Sequence, residues 1–216
     1  LVILMILFLS FGWYQGFFNS PEDYQQGNLV RIMYVHVPSA WMALMIYSSI
    51  AIASAIYLIN KHLLANIFCK SASLIGASFT LIAIITGSIW GKPTWGTWWV
   101  WDARITSMLV LFFLYLGHMT IFNFSENTEK SGQTAALLAI LGFINIPIIK
   151  FSVDWWNTLH QPSSITLTSA PTIHHTMLVP LLIMLIGLII YSLVIFLMRY
   201  KIEIIKFKLY KQKKRK

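Results

Sequence analysis

The chain has 216 residues, of which 57% are apolar and only 11% charged. Soluble domains average about 45–50% apolar and about 25% charged residues, so a soluble globular fold is excluded. The net charge of +9 is not spread over the chain: residues 199–216 hold nine basic residues against one acid, Glu203, and carry +8 of it.

The remaining body, residues 1–198, is nearly neutral and reads as one six-helix membrane domain with a frayed basic tail, 199–216. A basic tail beside a bilayer is a topology signal and a contact for anionic lipid, not a nucleic-acid site. About 20 apolar residues are needed to cross the hydrocarbon core. Six runs qualify, at 1–18, 37–59, 72–89, 105–124, 134–149 and 177–198. The first begins at Leu1, inside its own apolar run, and is expected to be incomplete. The fifth is short and holds Gly142 and Pro147, so a kink is expected near its end. The runs are long and continuous, unlike the alternating short strands of a barrel. The predicted class is therefore an all-α integral membrane protein with six transmembrane helices.

The single cysteine, Cys69, excludes an intrachain disulfide. The chain has no Cys-x-x-Cys-His stretch, no zinc-finger spacing and no Walker A, GxGxxG or GxSxG motif, so it is neither a c-type cytochrome nor an ATPase. Basic residues favour the cytoplasmic or matrix side. With the tail inside, six crossings put Lys61, Lys70 and Lys130 inside as well, and Arg31, Lys92, Arg104 and Lys150 outside. The outward connections then carry the unusual chemistry.

The third connection, 90–104, is the most unusual. It holds five of the nine tryptophans: Trp90, Trp95, Trp98, Trp99 and Trp101. Gly91, Pro93 and Gly96 disfavour a regular helix in its first half. Beyond Thr97, a candidate N-cap, a helix would place Trp95, Trp98, Trp99 and Asp102 on one face. Interfacial belts spread tryptophan over helix ends, whereas this concentration reads as a stacking surface for a large, flat, partly apolar ligand. Lys92 and Arg104 flank it and are candidates for that ligand's acidic groups, or for lipid headgroups.

An iron-bearing planar ligand needs axial imidazoles. His36 precedes Pro38, which suits the first turn of the second helix, so His36 is expected to end the first outward connection. His160 follows Trp155 and Trp156 in the fifth connection. His174 and His175 are reserve candidates. His62 lies on the wrong side, and His118 is expected inside the fourth helix as a packed or hydrogen-bonded core residue.

With these residues assembled, the chain resembles the haem exporter protein C family of cytochrome c maturation. The resemblance runs over nearly the whole length. It rests on Asp23-Tyr24-Gln25-Gln26-Gly27-Asn28, on His36-Val37-Pro38, on Trp90-Gly91-Lys92-Pro93 with Trp98-Trp99-Val100-Trp101-Asp102-Ala103-Arg104, and on Asp154-Trp155-Trp156-Asn157-Thr158-Leu159-His160-Gln161. At its start the sequence is expected to depart from the family pattern, in the leader that members carry before the first helix. The resemblance implies haem b as the handled cofactor, held by the Trp-rich segment with His36 and His160 as axial ligands to the iron. It implies a multi-pass protein of the bacterial inner membrane or the mitochondrial inner membrane, with haem on the periplasmic or intermembrane-space side. The implied partners are a membrane-anchored haem chaperone, an ATP-binding-cassette pair and a small single-span subunit. The role is haem binding and transfer rather than an enzymatic one. Two alternatives stand beside it: a b-type cytochrome-like electron carrier, and a small-molecule permease with an aromatic vestibule.

Overall fold

The structure is a computed structural model that describes all residues except 125–127, 167–168 and 215–216. Among the described residues every named element is helical. They are α1 (Val2–Tyr14), α2 (Met33–Asn60), α3 (Leu63–Trp95), α4 (Ala103–Phe124), α5 (Thr128–Gly142), α6 (Asn145–Trp155) and α7 (His175–Lys214). A π-helical turn, Gln15–Asn19, extends α1, and a 3-10 turn, Asn28–Ile32, leads into α2. Six segments are long and apolar enough to cross a membrane, α1 with its π turn forming the first and α5–α6 together the fifth. The chain is an all-α membrane protein.

Helix α2 is central and packs on α3, α5 and α7, while α1 lies against α7. Helices α2 and α3 meet through Ser54 and Cys69, whose Oγ and Sγ lie 3.5 Å apart, and both helices bury small residues, among them Ala43 and Ala53 of α2 and Ser73, Ala77 and Thr80 of α3. Small side chains let two backbones approach where no hydrophobic force separates helix from lipid. Three buried hydroxyls of α3 bond within their own helix. Ser71 donates to the Ile67 carbonyl, Ser73 to Cys69 and Thr80 to Gly76, at 2.7, 2.7 and 2.8 Å. Tyr115 of α4 is fully buried and donates to the Ala43 carbonyl at 2.7 Å. His118 is buried as expected, with Nδ1 2.8 Å from Ser73 Oγ.

The helices extend beyond the apolar runs, and several boundaries shift. His36 does not end the first connection. It sits in the first turn of α2, because the 3-10 turn feeds that helix without a break, and Pro38 lies one turn deeper than expected. Pro38 is itself buried in α2, and one turn before it Tyr34 is fully buried with its hydroxyl bonded to Ser20. Arg31 joins the preceding segment by donating to the Phe17 and Ser20 carbonyls.

Gly91 and Pro93 do not break α3, which continues to Trp95 and stops at Gly96 in the left-handed region, φ +76°. A proline in the last turn costs only one bond, and Lys92 Nζ covers the Gly96 carbonyl at 3.0 Å. Thr97 does not start a helix, so Trp95, Trp98, Trp99 and Asp102 do not share a helical face. The N-cap is Asp102, whose Oδ1 accepts from Ile105 N at 2.8 Å. The fifth run breaks at residues 143–144, straight after Gly142. Pro147 sits in the first turn of α6, where its missing N–H costs nothing. The tail is not frayed: α7 carries it as helix through Lys214, and the last two tail residues lie outside the described ones.

A Cβ at Gly76 would run into the Tyr115 ring. Gly76→Ala should therefore cost about 1–3 kcal/mol through overpacking. The expected readout is a thermal midpoint several degrees lower in detergent. An unchanged midpoint would show that the α3–α4 contact is looser than described.

Candidate functional site

His36 projects from the first turn of α2 toward the last turns of α3. Its Nδ1 lies 3.1 Å from Thr86 Oγ1. That hydroxyl already gives its proton to the Ile82 carbonyl at 2.6 Å, so it can only accept from the imidazole. The network thus assigns the proton to Nδ1 and the lone pair to Nε2. Gly87 makes room for the ring, since a Cβ there would lie 3.0 Å from His36 Cε1. Trp90 meets the imidazole edge-on, with centroids 5.7 Å apart.

His160 reaches the same place from the connection after α6. Thr158 Oγ1 accepts from the His160 backbone N–H at 3.2 Å. Its Nδ1 lies 3.0 Å from Asp102 Oδ2, with the two side chains only 19% and 5% exposed. A carboxylate accepts and does not donate, so this ring too carries its proton on Nδ1 and its lone pair on Nε2. A carboxylate behind an imidazole fixes the tautomer and raises its basicity as a ligand. Trp95 packs edge-on against His160 at 4.8 Å. Gly91 permits this, because a Cβ there would lie 2.9 Å from the Trp95 ring. Burial holds the His160 pKa below the ordinary histidine value. The Asp102 hydrogen bond and charge pull it up, and Arg104 pushes it down.

His36, His160, Trp90, Trp95 and Arg104 all line one cavity of about 280 Å³. Its apolar wall includes Met33, Trp41 and Ile165. Arg104 also ties α4 to α6, donating to Ser152 Oγ at 3.2 Å and to the Lys150 carbonyl at 3.4 Å. Asp102 stands behind the cavity, holding His160. The other tryptophans lie outside the lining. Trp98, Trp101, Trp155 and Trp156 are each at least half exposed, and Trp99 packs against Trp101 at 5.4 Å. Lys92 points to Gly96 rather than into the cavity. His174 and His175 pair with each other beside the start of α7, and His62 precedes α3 at the opposite end of the bundle.

Sequence reasoning missed the supports. Gln26 accepts from Trp90 Nε1 at 2.7 Å and sets that ring. It is held in a tight turn in which Asp23 Oδ1 accepts from Gln25 N and Gln26 N, with Gly27 at φ +54°. The stretch from Asp23 to Asn28 entered the sequence reading only as part of the family resemblance, and its partner 64 residues away was not legible. Thr86 and Gly87 carried no signal at all. The arrangement offers two neutral imidazole donors to one aromatic-walled cleft with a guanidinium at its edge. Pockets for drug-sized ligands run from about 300 to 1,000 Å³, so a larger planar ligand would insert an edge and leave the rest outside.

Fold and site together define a six-span helical membrane protein with a paired-imidazole, tryptophan-walled cleft at one end. The profile of the Heme exporter protein C family matches residues 1–215, and the chain belongs to that family. It is 44% identical over 201 residues to Heme exporter protein C of Bradyrhizobium diazoefficiens, covering 93% of this chain and 76% of the relative. It is 49% identical over 164 residues to Heme exporter protein C of Escherichia coli K12, covering 76% and 67%. It is 53% identical over 168 residues to a ccmC-like mitochondrial protein of cytochrome c biosynthesis from Marchantia polymorpha, covering 78% and 71%.

A histidine with a depressed folded-state pKa binds fewer protons than its unfolded form. Stability is then fully present above about pH 6.5 and falls as pH drops below it. Asp102→Asn keeps a capping side chain but removes the charge that supports protonated His160. The thermal midpoint of this variant is expected to fall more steeply between about pH 6.5 and pH 5 than that of the wild type. Parallel curves would mean that the carboxylate does not act on His160.

Proposed function

We propose that this protein holds haem b in the cleft at one membrane face and delivers it to a membrane-anchored haem chaperone during assembly of c-type cytochromes. His36 and His160 are the axial ligands, and Trp90 and Trp95 the aromatic walls. Arg104 is the contact for a propionate. The observation that carries this reading is that both imidazoles commit Nδ1 to a fixed partner and border one cavity with Nε2 left over. Haem iron takes neutral imidazole through such a nitrogen. Names of relatives that include heme export and cytochrome c biosynthesis add support.

The role is handling and transfer rather than catalysis. Trp98, Trp99, Trp101, Trp155 and Trp156 surround the binding region without lining the cavity, and in this reading they receive the exposed part of the porphyrin or the chaperone. Lys92 is a further propionate candidate. By the basic-residue rule the cleft faces the periplasm or intermembrane space, and the tail faces the cytoplasm or matrix. The protein works in the bacterial or mitochondrial inner membrane beside an ATP-binding-cassette pair and a small single-span subunit.

Visible spectra of the purified protein test this directly. His36→Ala and His160→Ala should each lose the sharp, split α/β bands of six-coordinate low-spin haem. Trp90→Ala and Trp95→Ala should lower haem per chain more than Trp98→Ala or Trp101→Ala. Wild-type Soret and α/β bands in both histidine variants would refute the axial assignment.

A further inference from the structure

A second cavity, of about 470 Å³, lies at the opposite end of the bundle. It is separated from His36 by the length of α2, roughly 35–40 Å at 1.5 Å per residue. The turn between α2 and α3, the start of α5 and the extension of α7 converge on it. Lys61, Lys70 and Lys206 all line it. Two of them are fixed by one acid: Glu203 accepts from Lys70 at 2.8 Å and from Lys206 at 3.0 Å. Each ammonium has three donors, so this sharing orients both cations without exhausting them. Lys61 follows α2 in the left-handed region, φ 51°, with Nζ 5.9 Å from the Tyr57 ring. It has no carboxylate partner among the described residues. Glu129 is the other acid in the lining.

The N-terminus of α3 opens beside Lys61, and no side chain caps it. Uncapped N–H groups and the helix dipole favour an anion there. Asn66 adds an amide. The remaining wall is apolar, with Phe122 of α4, Ile67 of α3 and Phe207 of α7. Outside it, Ile59, Leu64 and Ile205 are exposed on the bundle surface. Such a site presents cations to a head and hydrocarbon to a tail.

We infer that this cavity binds the phosphate group of an anionic phospholipid, with the helical tail as one wall. The shared chemistry is a phosphate group. The apolar rim and the position at the end of the lipid-exposed bundle select a lipid source over free phosphate. The site also gives α7 a reason to remain helical beyond residue 198. Glu203 and Lys206 lie one and two turns past that point, and both reach the cavity.

Native mass spectrometry and thermal shift on the delipidated full chain provide the test. The probes are phosphatidylglycerol, phosphatidylcholine and inorganic phosphate. Lys61→Asn suits the left-handed backbone, and Lys206 is 65% exposed, so Lys61→Asn and Lys206→Gln should both fold. Wild type should retain phosphatidylglycerol in preference to phosphatidylcholine. Each variant should lose about fivefold in phosphatidylglycerol affinity, the equivalent of one interfacial lysine. Lys208→Gln, in the tail but outside the cavity, should bind as wild type. Equal retention of the two lipids, or equal loss in Lys208→Gln, would overturn the inference. Stabilisation by inorganic phosphate without phosphatidylglycerol would overturn the lipid source.

Discussion

The site end of the structure depends on one carboxylate. Asp102 Oδ1 closes the first turn of α4, and Oδ2 holds the His160 imidazole. Without it α4 would begin uncapped, and the connection after α6 would lose its one charged bond to the helices, keeping the Trp95 contact and the packing of Ile165 and Ile173. The group is nearly enclosed, so its charge-assisted bonds act in a medium where they are stronger than in water. Arg104, two residues on, fastens the same turn to α6 through Ser152 and Lys150. The Asp102–Arg104 stretch thus joins three segments of chain without an ion pair between its two charged residues among the described contacts.

The bilayer explains why the irregular backbone collects there. Inside hydrocarbon every N–H and C=O must find a partner within the protein, and long helices meet that demand. Breakers cluster outward, and the one turn inside a span, at residues 143–144, keeps its N–H groups bonded, Phe143 to the Ala139 carbonyl and Ile146 to that of Phe143. Pro93 is tolerated in the last turn of α3, and the real stop is Gly96, beyond the apolar run. In the irregular stretch that follows, through residue 102, Lys92 donates to the Gly96 carbonyl and Thr97 Oγ1 bonds the Trp99 backbone. A cleft with several polar supports is cheap to build at such an end and costly in mid-bundle.

Much of this was legible in the sequence. Six apolar runs gave six spans, and the pairing of His36 with His160 rested on their placement at the ends of such runs. The tryptophan cluster marked the connection that frames the cavity. What escaped was which tryptophans turn inward. Trp90 does so because Gln26 grips its N–H, and Trp95 because Gly91 leaves space over its ring. Periodicity gave the opposite emphasis, since it presumed a helix after Thr97. The decisive contacts join residues 50, 58 and 64 positions apart. Local propensity carries no information about such pairs. The same limit hid Thr86, an ordinary helical threonine whose hydroxyl only becomes informative once His36 is placed beside it.

The two ends of the bundle have contrasting chemistry, yet they share a frame. Helix α2 brings His36 to one end and Tyr57 to the other, while α3 spans from Lys70 to Thr86, Trp90 and Trp95. Any tilt of this helix pair would alter both ends at once. The contact between them resists tilt, because both helices bury small residues and Cys69 bonds across it to Ser54 and the Ile50 carbonyl. Tyr115 is wedged over Gly76, where no larger residue fits. Close-packed seams have discrete arrangements rather than a continuous range. His160 differs from His36 in its setting: it sits on a connection held at Asp102 and Trp95, with Ile165 and Ile173 packed on the core around Met33 and Leu181, rather than within a helix. The cleft is therefore walled by helices on one side and by a packed connection on the other, and each side fixes its histidine through a different partner, Thr86 or Asp102.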